Sequence, residues 1–162
     1  VITTLGTRMR LVSVEAATKE SFPVAAASDS QPRVATRSES LLVADFNQWL
    51  RKSGVECCSA LYKIPGGTLR SDLFIQEWNL LMEAKASNSR ENIRTAIGQL
   101  FDYRRFHDSD PGLAVLVPEK PEEDLVELLE GLGFQVWYKE SDGFATTTLS
   151  TFQRKLGEKR GE

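Results

Sequence analysis

The chain has 162 residues, 41% of them apolar, which is one domain's worth and enough for a single core. Two cysteines exclude a disulfide framework, and a single histidine excludes chemistry that needs several imidazoles. A net charge of −3 is unusual for a nucleic-acid binder. No stretch approaches the ~20 apolar residues of a membrane span, and the N-terminal region lacks the apolar run of a secretory signal, so a cytoplasmic setting is the expectation.

Residues 1–35 read as an N-terminal strand and linker: 7–14 is strand-like, and 25–33 is small, polar and proline-containing. A start at Val1 suggests a fragment that follows a missing upstream domain. Residues 36–140 read as the core. Its first helix carries Leu42, Val43, Phe46, Trp49 and Leu50 at helical spacing, with Ser38 or Ser40 as cap and Gly54 as terminator. Residues 55–64 form the first expected strand, and Pro65-Gly66-Gly67 turns the chain into a second over 68–75. That turn lacks the Lys-Ser/Thr of a phosphate-binding loop. Residues 76–79 are hairpin-turn sized and lead into a third strand over 80–86.

Asn88, with Glu91 three residues on, has the form of a capped helix start. Ile93, Ile97 and Leu100 make its core-facing stripe, while Asn92, Ala96, Gln99, Tyr103 and Phe106 make a neighbouring one. Residues 111–118 are a continuous apolar run between breakers, as in a buried central strand. An acidic helix over 121–130 follows, with Leu125, Val126, Leu128 and Leu129 as its apolar stripe, then a last strand over 134–138. Residues 141–162 read as an extension: 145–151 is β-prone, and Lys155, Lys159 and Arg160 lie in a charged tail. Alternation of helices and strands alone says α/β or α+β.

Chemistry enters at the expected 68–75/80–86 hairpin. A turn centred between Glu77 and Trp78 places Asp72 directly opposite Glu83, and the period of two puts Lys85 on the same face. Two opposed carboxylates repel unless a cation lies between them, and a hard divalent ion is the natural remedy. Gln99 and Tyr103, four apart on the next helix, project together and carry groups suited to holding a phosphate oxygen or a water. A plain helix surface is the alternative reading of that pair.

Asp72, the triplet Glu83-Ala84-Lys85 and Gln99-x-x-x-Tyr103 together resemble the PD-(D/E)xK nuclease superfamily, in its QxxxY-containing subset, with Ser71 standing where the family name has Pro. The segment 96–106 is similar to the corresponding helix of bacterial restriction-endonuclease-like domains. The resemblance covers roughly residues 36–140. It implies an α/β restriction-endonuclease-like core, a central mixed sheet flanked by helices in the order α-β-β-β-α-β-α-β. It also implies a metal-dependent DNA endonuclease of a restriction or defence system.

On that resemblance Asp72, Glu83 and the Ala84 carbonyl hold Mg²⁺ (Mn²⁺ substituting), Lys85 serves the attacking water, and Gln99 and Tyr103 orient phosphate or water. Glu39 matches the acid of the family's first helix. A first-turn glutamate favoured by the helix dipole is the other reading of Glu39. Arg90, Arg94 and Arg104 are the expected DNA-phosphate contacts, each open to being a solvated surface residue. Cutting both strands of a duplex asks for two active sites, hence a homodimer, and target choice asks for a further recognition domain. A nuclease-fold module that binds nucleic acid or protein without cutting is the competing expectation, and a structural or dimerisation domain a second.

Overall fold

A computed structural model of the chain describes residues 8–19 and 32–147, with side chains over 8–16 and 37–147. In chain order these residues form β1 (Met9–Ser13), α1 (Val14–Lys19), α2 (Pro32–Arg51), β2 (Cys58–Ile64), β3 (Gly67–Arg70), β4 (Leu73–Ile75) and a 3₁₀ turn (Gln76–Trp78). Then follow β5 (Leu80–Ala84), α3 (Arg90–Arg104), β6 (Gly112–Val117), α4 (Glu123–Gly131), β7 (Gln135–Glu140) and β8 (Gly143–Thr146). The fold is α/β, built on one mixed eight-stranded sheet in the order β1-β2-β4-β5-β6-β7-β8, with β3 paired to β2 off this path. Pairs β5–β6 and β6–β7 are parallel and the others antiparallel. The two parallel pairs each need a crossover, and α3 and α4 supply them.

Strand alternation divides the core in two. Leu80, Met82 and Ala84 of β5 join Ala114, Leu116 and Trp137 beneath α2, whose Leu42, Val43, Phe46 and Leu50 cover that face. Leu81, Leu113, Val115, Val117 and Val136 face the other way, against Ile93, Ala96 and Leu100 of α3 and Leu125 and Leu129 of α4. Strand β6 is buried from Leu113 to Val117, as a continuous apolar run requires. No helix among the described residues is long and apolar enough to cross a membrane.

Several boundaries differ from expectation. Helix α2 starts at Pro32, so Ser38 and Ser40 lie inside it rather than capping it, and its first turn falls in the stretch read as linker. Strand β1 pairs along its whole length with β2, and β8 with β7, so 9–13 and 143–146 extend the same sheet as the core. Helix α3 is capped by Ser89, whose hydroxyl accepts the N–H of Asn92, while Asn88 instead donates to the Lys120 carbonyl. Leu128 of α4 is exposed, leaving Leu125, Val126 and Leu129 as the buried stripe. The tail cations Lys155, Lys159 and Arg160 lie outside the described residues.

The strand expected over 68–75 is broken. Leu61 pairs with Arg70 but Cys58 with Phe74, so one extra residue is accommodated on the β3–β4 side, a β-bulge at Ser71-Asp72. Its consequence is visible in the core: Leu69 and Phe74, five residues apart, both join the α3-side cluster, whereas strict alternation would separate them. Hydrogen bonds pin the bulge. Ser71 N–H donates to the Ala60 carbonyl at 2.9 Å, the Ala60 N–H donates to the Ser71 hydroxyl at 3.1 Å, and the Ser59 hydroxyl donates to the Asp72 carbonyl at 2.9 Å.

Candidate metal and phosphate site

Beyond the bulge the β4–β5 register is Leu73↔Met82, Phe74↔Leu81 and Ile75↔Leu80, which continues to Asp72 opposite Glu83. The connecting turn is a 3₁₀ turn ending in left-handed Asn79 (φ 47°), not a two-residue β-turn. Asn79 tolerates this conformation through its side chain, which donates to the Ser109 carbonyl and accepts from its hydroxyl. The ladder ends at the site: Ala84 N–H donates not to a strand carbonyl but to Asp72 Oδ2 at 2.8 Å, and Asp72 N–H approaches Glu83 Oε2 at 3.4 Å. A residue's N–H and C=O point to the same edge of its strand, so the Ala84 carbonyl is directed to Asp72's side.

Glu83 is 3% and Lys85 6% exposed, and Lys85 Nζ lies 3.6 Å from Glu83 Oε1. Fully buried acid and base of this kind persist only when paired. Burial, then the charge of Asp72, pushes the Glu83 carboxyl well above the ordinary carboxylate range, with Lys85 opposing. Burial also raises Asp72, against the Ala84 N–H, Lys85 and Arg70, which favour its anion. Each carboxylate thus makes the other harder to ionise, with Glu83 the more strongly raised member.

Glu39, on α2, reaches the same place from the other face: its Oε1 accepts the N–H of Ala86 at 3.2 Å. Burial raises its carboxyl, Lys85 draws it back down, and the negative charge of Asp72 raises it further. On the α3 side, Gln99 Nε2 donates to the Tyr103 hydroxyl at 3.4 Å, while Gln99 Oε1 is buried with no hydrogen-bond partner. Tyr103 is 6% exposed and stacks on Tyr62, with ring centroids 5.2 Å apart. Its phenol is raised by burial first and then by the charge of Glu83, which places the hydroxyl within the field of the carboxylates. The stripe assignment on α3 is corrected accordingly: Ile93, Ala96, Leu100 and Tyr103 are buried, while Ile97 is only half-buried.

The sequence reading did not identify the group behind Tyr103. Tyr62 O–H and His107 Nε2 lie 2.8 Å apart in the interior, and Tyr62 packs against Phe106 as well as Tyr103. Nothing in local spacing links residues 62 and 107. Their pairing depends on the strand order.

The arginines are more dispersed. Arg90 forms an ion pair with Asp124 of α4, Arg94 is exposed, and Arg104 lies 3.9 Å from Asp110 with its guanidinium over the Phe101 ring. Arg90 and Arg104 sit at opposite ends of α3, about 21 Å apart along the helix.

Among the described residues, no three His, Cys, Asp or Glu side chains form a ready metal cluster. Mg²⁺, however, is ordinarily held by one or two carboxylates with waters and substrate phosphate, not by an all-protein cage. A buried and a half-buried carboxylate that repel each other, a carbonyl directed to the same edge and the orphaned Gln99 Oε1 fit that requirement. No family model, no curated protein and no solved structure matches this chain.

Proposed function

We propose that the chain is a divalent-metal-dependent DNA endonuclease domain with a restriction-endonuclease-like core, acting in a restriction or DNA-defence system. The observation that carries the reading is the pairing of Asp72 with Glu83 across β4 and β5, beside buried Lys85 and the Gln99–Tyr103 pair. Asp72, Glu83 and the Ala84 carbonyl hold Mg²⁺ or Mn²⁺, and Glu39 supports that site from α2. The ion, when bound, supplies Lewis-acid charge for in-line attack of water on a phosphodiester.

The chain's own residues do the rest. Lys85 orients the attacking water and balances charge on the phosphate. Gln99 offers its free amide oxygen to a water, and Tyr103 offers its hydroxyl to a phosphate oxygen. Arg90, Arg94 and Arg104 contact the DNA backbone along α3, a homodimer supplies the second active site, and a further domain or subunit chooses the target.

One observation favours the second reading, a non-cutting module of the same fold. Asp72 Oδ2 is taken by the Ala84 N–H and Glu83 Oε1 by Lys85, so part of the polar set closes on itself. Lys85→Ala separates the two. The endonuclease reading expects metal-dependent nicking to disappear while duplex binding survives, whereas a wild-type chain that binds DNA and never nicks it supports the module.

A further inference from the structure

The β1–β2–β3 end of the sheet carries a feature that the site does not use. Strand pairing sets Arg10, Leu61 and Arg70 in one row, and the Lys63 N–H to Arg8 carbonyl bond with the Lys63↔Thr68 pair sets Arg8, Lys63 and Thr68 in the next. Directly paired residues share a face, and so do residues two apart. Four cations, Arg8, Arg10, Lys63 and Arg70, therefore stand on one side of a three-stranded ribbon. Met9, Leu11, Tyr62 and Leu69 turn to the other side, into the α3-side core.

A cavity of about 520 Å³ opens at this end of the ribbon. Among the described residues its lining includes Arg8, Arg10 and Lys63. Arg8, Arg10 and Lys63 are exposed, while Leu61 between the rows is 4% exposed. Stems of long cationic side chains cover apolar surface in this way while their charged heads stay in water. Neighbouring cations along a strand are about 7 Å apart, and rows two strands apart about 10 Å, so the charges form a platform and not a point site. In a chain of net charge −3, such local concentration of one sign is a steering surface for a polyanion.

The row ends at the site. Arg70 is the last residue of β3, two before Asp72, and the bulge at Ser71 sends the two side chains to opposite faces of the ribbon. Arg70 nevertheless contributes positive charge felt at Asp72. A phosphate backbone lying on the platform would run past the sheet end where the carboxylates sit.

We infer that the Arg8, Arg10, Lys63 and Arg70 face of the β1–β3 ribbon is a docking surface for the phosphate backbone of duplex DNA, contacting it outside the cleavage site. The inference rests on the nuclease reading for its partner and is tested independently of cleavage. A fluorescein-labelled 30-base-pair duplex is titrated in EDTA and followed by anisotropy, over a series of salt concentrations. The proteins are the wild type, the charge-reversed Arg8→Glu/Arg10→Glu/Lys63→Glu variant, the milder Arg8→Ala/Lys63→Ala variant, and Lys52→Glu as a control at the end of α2. Circular dichroism and Tm report folding, and Mg²⁺-dependent plasmid nicking is read separately.

The platform predicts at least tenfold weaker binding for the triple variant. It also predicts a salt slope shallower by about 2–3, since each neutralised phosphate contributes about 0.9. The double alanine variant should shift in the same direction and Lys52→Glu should not. Binding by both ribbon variants equal to wild type overturns the inference, whether or not plasmid is nicked, and so does a wild type that does not bind duplex. A wild type that binds duplex and never nicks plasmid, with the binding differences intact, would overturn the nuclease reading alone. If the triple variant fails to fold, the double variant's affinity and slope decide the question.

Discussion

Asp72 and Glu83 are tied through each other's backbone: Glu83 Oε2 faces the Asp72 N–H at 3.4 Å, and Asp72 Oδ2 accepts the N–H of Ala84, Glu83's neighbour, at 2.8 Å. Both carboxyls are raised by burial, and Glu83 is raised further by Asp72. A group whose folded pKa exceeds its unfolded value contributes stability that is full below the unfolded pKa and lost as pH rises through the folded one. The metal-free chain therefore loses this contribution as pH rises. A divalent ion bound between the carboxylates would favour their ionised forms, so the Tm gain from 10 mM Mg²⁺ or Mn²⁺ should grow as pH is raised from 5 to 8. Differential scanning fluorimetry checks this, and Asp72→Asn should abolish most of the gain.

The opposite pH dependence is expected at His107. Burial holds its imidazole below the usual 6.5, with Asp108 opposing, while its Nε2 pairs with the Tyr62 hydroxyl. The unfolded chain then binds more protons than the folded one, so this contribution is present above about 6.5 and lost as pH falls. Tyr62→Phe removes the hydroxyl, leaves the buried ring nitrogen unpaired and costs about 1–3 kcal/mol. That is several degrees in Tm, at roughly 2–4 °C per kcal/mol for a chain of this size.

Ser71 holds the bulge by accepting the Ala60 N–H, a buried contact. Ser71→Ala strands that donor, with an expected loss of about 1–3 kcal/mol by urea unfolding. Deleting Ser71 is the sharper change. It removes the extra residue and restores alternation between Leu69 and Phe74, while the β4–β5 register keeps Asp72 opposite Glu83. A deletion variant that folds should therefore still nick, and loss of nicking in it would show that the Ser71 contacts are needed to hold Asp72 in place.

Glu39 approaches from α2 through the Ala86 N–H and has no direct hydrogen bond to Asp72 or Glu83 among the described contacts. Glu39→Gln keeps an acceptor for that N–H, so cleavage should fall by about tenfold, against at least a hundredfold for Asp72→Asn, the range expected when a group central to the chemistry is removed. Initial nicking rates at saturating Mg²⁺ distinguish the two. Equal losses would make Glu39 a full ligand.

Much of this site was legible because it is local. The length of the 76–79 connection and the period of two were enough to set Asp72 opposite Glu83, and the observed β4–β5 register continues to that pairing. The bulge was not legible, since residues 68–75 alternate acceptably as one strand and the extra residue is revealed only by pairing with β2. Tyr103 was placed on a stripe beside the core-facing one, yet an aromatic ring buries readily when another, here Tyr62, stacks on it. The cap moved from Asn88 to Ser89 because both residues can serve, and tertiary contact with Lys120 claims the asparagine. The cationic ribbon was beyond reach altogether: Arg8 and Lys63 meet only once β1 has paired with a strand some fifty residues on.

We propose that Asp72 and Glu83 support metal-dependent cleavage. The most direct test is a time course of supercoiled plasmid and modified phage DNA with the wild-type chain and Asp72→Ala, in Mg²⁺, in Mn²⁺ and in EDTA. The account predicts nicked product only with the wild type and only with a divalent ion. Equal nicking by Asp72→Ala, or by the wild type in EDTA, would contradict it.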